Sequence, residues 1–582
     1  VIRARLAAIL AASMAAFSAP AAEITKDRTY AAVGAPDDPK VPIAWNRFYD
    51  VEGINILMRQ IAEAHPELAR VVTVGESFEG REILALEVTS FGKGDAATKP
   101  AMYIDGNIHG NEAQCSEVVV YTAWYLTEQY GRVDRVTKLL DERVFYLLPS
   151  INPDGRDHWL ADPSNPHLNR GGRIPTDNDG DGLSDEDGPD DIDGDGQITS
   201  MRIRDPFGRY IPDPFFPDLL MIEVPADQQG IYRRLGWEGI DNDGDGEINE
   251  DGPGGYDPNR NWPWDWQPES VQSGAGAYPF SLPETRAVSQ YVLARPNIAG
   301  VQSYHNAGGM ILAGPGRQGG IENQKDRALM QKLQDRGAQM LPFYRPMITW
   351  KDLYTVWGGE FDWFYGGLGI VSFTNELWTM KNLYRRDMAP GDEGGREERR
   401  FLRHLLLDEG VTPWREVDHP TLGKVEVGGI AKTFGRVPPS FMLEEELHRN
   451  MAFTLFHAEQ LPLLRFGESE VEALGEGLVR VRLPLENAGL IPTRTDHDVR
   501  NGITPDNIVE LTGAEVLAAG VVTDADAGRI EWQRHRPERL RVATVPGNGR
   551  VLVELIVRGK GTARAKATAQ RGGVATTAVE LP

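Results

Sequence analysis

His109 and Glu112 stand three residues apart in DGNIHGNEAQ (105–114), where the apolar run AMYIDG gives way to a stretch of helical spacing. An imidazole and a carboxylate offered from one turn are two of the three protein ligands of a catalytic zinc site, whose fourth position is left for water. His305, closing the strand-like IAGVQSYHN, is available as the third. The same spacing also arises where a glutamate simply sits in the first turn of a helix and is favoured by its dipole. The pair alone leaves both readings open.

A second set of chemistry-bearing residues lies in DNDGDGLSDEDGPDDIDGDG (177–196) and DNDGDGEINEDG (241–252), an imperfect internal repeat. Carboxylates at alternate positions with a glycine at the sixth wrap oxygen ligands around a hard cation such as calcium. Asp177, Asp179, Asp181 and Asp185 form one candidate set, Asp191, Asp193 and Asp195 a second, and Asp241, Asp243 and Asp245 a third. They resemble calcium repeats of thrombospondin type rather than complete EF-hands, because the bidentate glutamate at position twelve is missing. A solvated acidic loop is the alternative, but residues 177–195 hold ten acidic and no basic side chains, and such charges repel one another without a cation.

These residues need elements to hold them. From about 43 to 150 the pattern alternates: VEGINILMRQIAEAHPELA and EAQCSEVVVYTAWYLTEQYG have helical spacing, while EILALEVTS, AMYIDG and RVFYLLPS read as strands. SLPETRAVSQYVLAR then reads as a helix, and IAGVQSYHN and GIVSFTNELW as strands. The alternation predicts an α/β fold, a mixed open β-sheet with helices on both faces. In such sheets ligands bind beyond the strand C-termini, which is where His109 and His305 fall. The acidic insertion, about 160–256, interrupts this unit, which spans 43–412. Residues 413–464 read as a connecting segment. From 465 to 582 the period becomes two, as in VRVRLPLEN and VLVELIV, and predicts an all-β sandwich.

Composition narrows the partners. The 582 residues carry 61 basic and 86 acidic side chains, a net charge of -25, which opposes binding to a phosphate backbone and excludes nucleic acid as the expected partner. The first 22 residues, with Arg3 and Arg5 before an apolar Ala-rich run and an Ala-Pro-Ala-type cleavage site, read as a bacterial signal peptide, so the expected location is secreted or periplasmic. No transmembrane segment is expected elsewhere. The single cysteine, Cys115, excludes an intramolecular disulfide and reads as a small buried hydrophobe.

Seven segments in order resemble the zinc carboxypeptidase family of the carboxypeptidase A and T type. They are GESFEGREILALEV (75–88), GNIHGNEA, INPDG (151–155), DPNRNWPW (257–264), SYHN, YTVWGGEFDW and SFTNELW. The resemblance implies His109, Glu112 and His305 as zinc ligands, Asp257 as the carboxylate orienting the first histidine, and Glu376 as the general base that activates the attacking water. It further implies Tyr354 as a mobile tyrosine covering substrate, and Asn259 and Arg260 as the anchor of a free C-terminal carboxylate. The arginine that stabilises the oxyanion is assigned to Arg202 in SMRIRDP, with Arg170, Arg173 and Arg204 as alternatives. Phe361, just before the Asp-Trp pair, is similar in position to the residue at the base of the terminal side-chain pocket and implies apolar or aromatic terminal residues. HGNE, with Asn111, is similar to the regulatory branch, whereas FTNEL is similar to the digestive and bacterial branch.

The reaction this implies is hydrolysis of C-terminal peptide bonds in a peptide or peptide-like substrate with a free carboxylate, using zinc, with calcium in the insertion. Two rival readings are a peptidoglycan stem-peptide or γ-glutamyl amidase, and a calcium-dependent extracellular binding protein on an inactive peptidase scaffold. Retention of Glu376 weighs against the second, since a binding module has no use for the base.

Overall fold

The computed structural model describes residues 29–214, 216–321, 323–385 and 396–582, so the expected signal peptide lies outside the described residues. Residues 29–42, mostly exposed and without helix or strand, belong to a separate unit, and the chain from Ile43 to Pro582 forms another.

Eight strands make the central sheet: β1 (Ala69–Glu76), β2 (Glu82–Val88), β3 (Ala101–Gly106), β4 (Val144–Leu148), β9 (Ile298–Asn306), β10 (Met310–Ala313), β11 (Arg345–Ile348) and β12 (Val371–Leu377). Their spatial order is β1-β2-β4-β3-β9-β12-β10-β11. The centre is parallel, from β4 through β3 and β9 to β12, and antiparallel pairs flank it. Every residue of β3, β4 and β9 is buried, the mark of strands covered on both faces.

The helices provide that cover. In α1 (Val51–Ala64), capped by Asp50 through Gly53 N, the residues Val51, Ile54, Leu57, Met58 and Ile61 form one apolar stripe. Helix α2 (Gln114–Gln129) is buried almost all round, between the sheet, α1 and the long α7 (Ser440–Glu459). On the other face, α5 (Pro283–Leu293) sets Val288, Tyr291 and Val292 against Tyr103, Tyr146 and Trp262. Helix α3 (Asp134–Glu142) precedes β4, α4 (Pro153–Ala161) follows it, and α6 (Gln324–Met340) lies beside β10 and β11.

His457 of α7 is fully buried beside Phe373, and neither ring nitrogen has a partner. Burial pushes its pKa down to about 3, against about 6.5 in an unfolded chain. The unfolded state therefore takes up the proton first as pH falls, and stability is lost progressively from about pH 6.5 down to about 3. At about 1.4 kcal/mol per pH unit, some 2 kcal/mol goes by pH 5. His457→Leu should lack this loss, so denaturant titrations at pH 7.5 and 5 should show the wild-type stability falling relative to the variant by about that amount. Parallel pH dependence would show that the imidazole is not the cause.

The insertion folds as a second sheet from β5 (Ser200–Arg204), β6 (Tyr210–Pro212), β7 (Met221–Glu223) and β8 (Tyr232–Trp237). It is completed by β13 (Val411–His419) and β14 (Gly423–Ile430), in the order β13-β14-β5-β8-β6-β7. Residues 413–464, read from sequence as a connector, thus add strands to the insertion's sheet and α7 to the central one. Arg202 and Glu426 face each other across the β5/β14 pair.

The acidic repeats also pair. Asn178 N and Asp185 N donate to Asp251 Oδ1 and Oδ2, while Asn242 Nδ2 and Asn249 N donate to Asp187 Oδ1 and Oδ2. Asp187 and Asp251 meet in an antiparallel bridge. The carboxylates that come within 4.8 Å include the group Asp177, Asp179 and Asp181, and three groups drawn from both repeats: Asp179, Glu186 and Asp251; Asp181, Glu186 and Asp243; Asp187, Asp243 and Glu250. Spacing alone did not identify Glu186, Asp187, Glu250 or Asp251. Asp185 accepts from Thr176 N.

The C-terminal residues form two facing antiparallel sheets. In Leu478–Asn487 burial alternates strictly, with Val479, Val481, Leu483 and Leu485 in the core, as the period of two predicts. No helix among the described residues is long and apolar enough to cross a membrane.

Candidate metal centre

The turn after β3 begins at Asn107, whose left-handed backbone (φ 57°) is tolerated by asparagine. Its Nδ2 donates to His109 O (2.8 Å) and Gly110 O (3.1 Å), and its Oδ1 accepts from Ser150 Oγ (3.0 Å). Gly110 is pressed against backbone: a Cβ there would lie 2.2 Å from Gly155 C and 2.5 Å from Asn169 O. Its N–H donates to Arg170 O (3.0 Å). Only glycine fits this contact, and the contact carries Arg170 to the edge of the turn.

His109, Glu112 and His305 converge from the ends of β3 and β9, all nearly solvent-free. His109 Nδ1 lies 3.0 Å from Glu112 Oε1, His305 Nδ1 3.1 Å from Glu112 Oε2, and the two Nδ1 atoms 3.2 Å from each other. Donor atoms about 2.0–2.1 Å from a tetrahedral zinc ion stand roughly 3.3 Å apart, so this triangle has the dimensions of a ligand set. Glu112 Oε2 is buried and makes no well-formed hydrogen bond, and a cation would satisfy it. The residues fit zinc. His109 Nε2 contacts Asp257 Oδ1 at 2.9 Å, the arrangement that leaves Nδ1 free for a metal. Although burial pushes both carboxyls up, His109 and His305 hold Glu112 well below the usual range, and Arg260, His109 and Arg170 do the same for Asp257.

Glu376 on β12 is in register with His305 on β9. Burial and the charge of Glu112 push its carboxyl up to about 7, against the opposing pull of His305, Arg436 and Arg170. A group in that range exchanges protons readily near neutral pH. Asn259 Nδ2 approaches His305 Nε2 at 3.3 Å, and Asn259 Oδ1 accepts from Glu360 N (2.9 Å). Arg260 Nη1 donates to Asn259 O (2.9 Å) and lies 3.7 Å from Asp257 Oδ2. Tyr354 is half-exposed, unlike a core tyrosine. Phe361 is buried against Gly314, Gly316 and Gly359. Beside it, burial pushes Asp105 up to about 6, and burial with the charge of Asp105 drives Glu360 well above its usual range.

Arg202 is not among the groups at this centre. Its guanidinium pairs with Glu426 at 2.6 Å and is stacked between the rings of Tyr232 (4.1 Å) and Trp414 (4.0 Å). The pairing of β5 with β14 and β8 commits it to the second sheet. Arg204 is exposed beside Glu426, and Arg173 pairs with Asp162. Arg170, one of the alternatives from sequence, is at this centre, 3.5 Å from Glu112 Oε1 and 3.2 Å from Asp257 Oδ2. A second guanidinium, unforeseen from sequence, is Arg436, from the loop after β14. Its Nη2 donates to Glu112 Oε1 (2.9 Å) and to Asn306 O.

Residues 54–188 and 234–397, about half the chain, match the zinc carboxypeptidase family, and residues 463–580 match a domain of unknown function. Among individual relatives, carboxypeptidase Z of Homo sapiens is 38% identical over 107 residues, 18% of this chain and 16% of that protein. Carboxypeptidase B of Astacus astacus is 35% identical over 118 residues, 20% of this chain and 37% of that protein. Inactive metallocarboxypeptidase ECM14 of Ajellomyces capsulatus is 31% identical over 138 residues, covering 24% and 23%. The matched segments thus span well under half the length of these relatives. Among solved structures, thrombin activatable fibrinolysis inhibitor aligns with 71% of this chain and 77% of its own, at 17% identity and a TM-score of 0.42. With the family match extending over both strand ends that carry the ligand triangle, the chain belongs to the zinc carboxypeptidase family.

Proposed function

We propose that the chain is an active metallocarboxypeptidase that removes the terminal residue from peptides with a free C-terminal carboxylate. The observation that carries the reading is Glu376 in register beside His305, which puts a carboxylate next to a complete zinc ligand set. It weighs against an inactive scaffold, although one relative is described as inactive. Zinc bound by His109, Glu112 and His305 would polarise the scissile carbonyl and acidify a water. Asp257 orients His109 for that role, and Glu376 takes a proton from the attacking water and delivers it to the leaving amine. Arg260, with Asn259 beside it, offers a guanidinium fork to the terminal carboxylate. Tyr354 is free to cover the bound peptide.

Arg170 and Arg436 supply the positive charge that the sequence assigned to Arg202. Replacing either with alanine should lower kcat by about 10²–10³, the usual cost of a lost oxyanion donor, with zinc content unchanged. Arg202→Ala should instead lower the melting temperature and change kcat little. Steady-state kinetics of the three variants checks this: a loss in Arg202→Ala as large as in Arg170→Ala, with stability intact, would restore Arg202 to the site.

The reading itself is tested with matched peptides bearing free and amidated C-termini, with products identified by mass spectrometry. Release of one terminal residue from the free acids alone is the expected result. Equal cleavage of the amides, or cleavage inside the chain, would contradict it. The apolar surface of Phe361 favours peptides ending in Phe or Leu over Lys or Arg; a lead for the basic residues would point to the neighbouring Glu360 as the controlling group. Stem peptides with a γ-glutamyl bond belong in the same panel.

A further inference from the structure

Residues 191–199 run from Asp191 through Asp193 and Asp195 to Thr199 and continue into β5. Carboxylates at alternate positions suit a calcium loop, but the twelfth position, which normally supplies two carboxylate oxygens, is here Arg202, already paired with Glu426. Glu238, immediately after β8, stands where that carboxylate is missing. The β5/β8 register sets Ser200 opposite Trp237, and Glu238 N donates to Thr199 O (2.9 Å). Glu238 Oε2 accepts from Thr199 N (3.2 Å) and Thr199 Oγ1 (3.3 Å). The residue is entirely removed from solvent (0% exposed), and its Oε1 has no partner. Beside its burial and its bond from Thr199 N, the charged groups acting on Glu238 include Asp193, Asp195 and Asp191, which puts its carboxyl near those of the loop. The Asp193 side chain is itself only 2% exposed.

The positive group at this cluster is Arg415 of β13, with Nε 3.0 Å from Asp193 Oδ2 and Nη2 3.4 Å from Asp195 Oδ2. Arg415 thus pairs with two of the four carboxylates. A buried carboxylate oxygen without a donor is costly, and oxygen ligands from alternate aspartates closed by a glutamate suit calcium far better than a softer metal. We propose that Asp191, Asp193, Asp195 and Glu238 bind a hard divalent cation of the calcium type, which closes the loop at 191–199 onto the end of β8. The site is discontinuous in sequence.

The bound ion would also brace the metal centre. Gln197 Oε1, inside the loop, accepts from Lys432 N (3.0 Å), and Lys432 Nζ donates to Trp159 O, Leu160 O and Asp162 O at the end of α4. Four residues on, Arg436 reaches Glu112. Cation binding is independent of the peptidase reading, whereas an effect on turnover through Arg436 rests on it.

The test uses the full zinc-loaded chain, freed of calcium by dialysis against resin-treated buffer and titrated with calcium chloride by calorimetry. Glu238→Gln should bind one ion fewer, or one ion at least about tenfold more weakly, the lower bound for loss of even an indirect metal partner. Glu223→Gln, exposed on β7 of the same sheet, should titrate like the wild type. Unchanged number and affinity in Glu238→Gln would overturn the proposal. If Glu238→Gln does not fold, wild-type crystals soaked in terbium decide. An anomalous peak bonded to Glu238 Oε1 and the three aspartates supports the site, and peaks confined to Asp177, Asp179 and Asp181 overturn it. Calcium that binds through Glu238 without changing turnover would count against the link to Arg436 and leave the site intact.

Discussion

Glu376→Gln is expected to retain zinc and substrate while losing at least about 10² in kcat, the scale of general acid–base catalysis. The substitution keeps the size of the side chain and its place in β12, in register with His305, but removes the group that exchanges the proton. Burial and the charge of Glu112 are what raise its carboxyl to about 7, and a bound metal ion would pull it back down. KM should therefore move little, and the loss should appear in kcat at every pH. Unchanged kcat would show that another group carries the proton.

His305→Ala should abolish tight zinc binding. His109 and Glu112 come from one turn, but the triangle of donor atoms spaced 3.0–3.2 Å is completed only by His305 from β9. Two ligands on one turn cannot fix the geometry of a four-coordinate site. The variant should leave Glu112 paired with Arg170 and Arg436 and still beside His109, so the fold should survive the loss of the metal. Metal analysis after dialysis measures the first effect and thermal unfolding the second; a variant that still holds one zinc per chain and turns over normally would remove His305 from the ligand set.

The convergence of His109, Glu112, His305 and Glu376 was legible in the sequence because each sits at or beside the end of a strand whose apolar run announces it, and the family resemblance joined them. The period of two in VRVRLPLEN was legible for the same local reason. The place of Arg202 in the second sheet was not legible because nothing local says that SMRIR pairs with residues 426–428 and turns its guanidinium into an aromatic slot. Arg436 was invisible since it reaches Glu112 from far along the chain, through a loop with no pattern of its own. Glu238 was missed on similar grounds: the spacing of aspartates is local, whereas the carboxylate facing Thr199 depends on strand register. The second sheet is assembled from short strands in two distant segments, and short strands carry too little periodicity to reveal their partners.

The proposed function makes zinc at His109, Glu112 and His305 the source of carboxypeptidase activity. It is tested most directly by titrating the metal-free chain with zinc while measuring release of the terminal residue from a peptide with a free C-terminus. No activity without metal and a linear rise that saturates at one zinc per chain are the expected results. Full activity in the metal-free chain, or none at one equivalent of zinc, would contradict it.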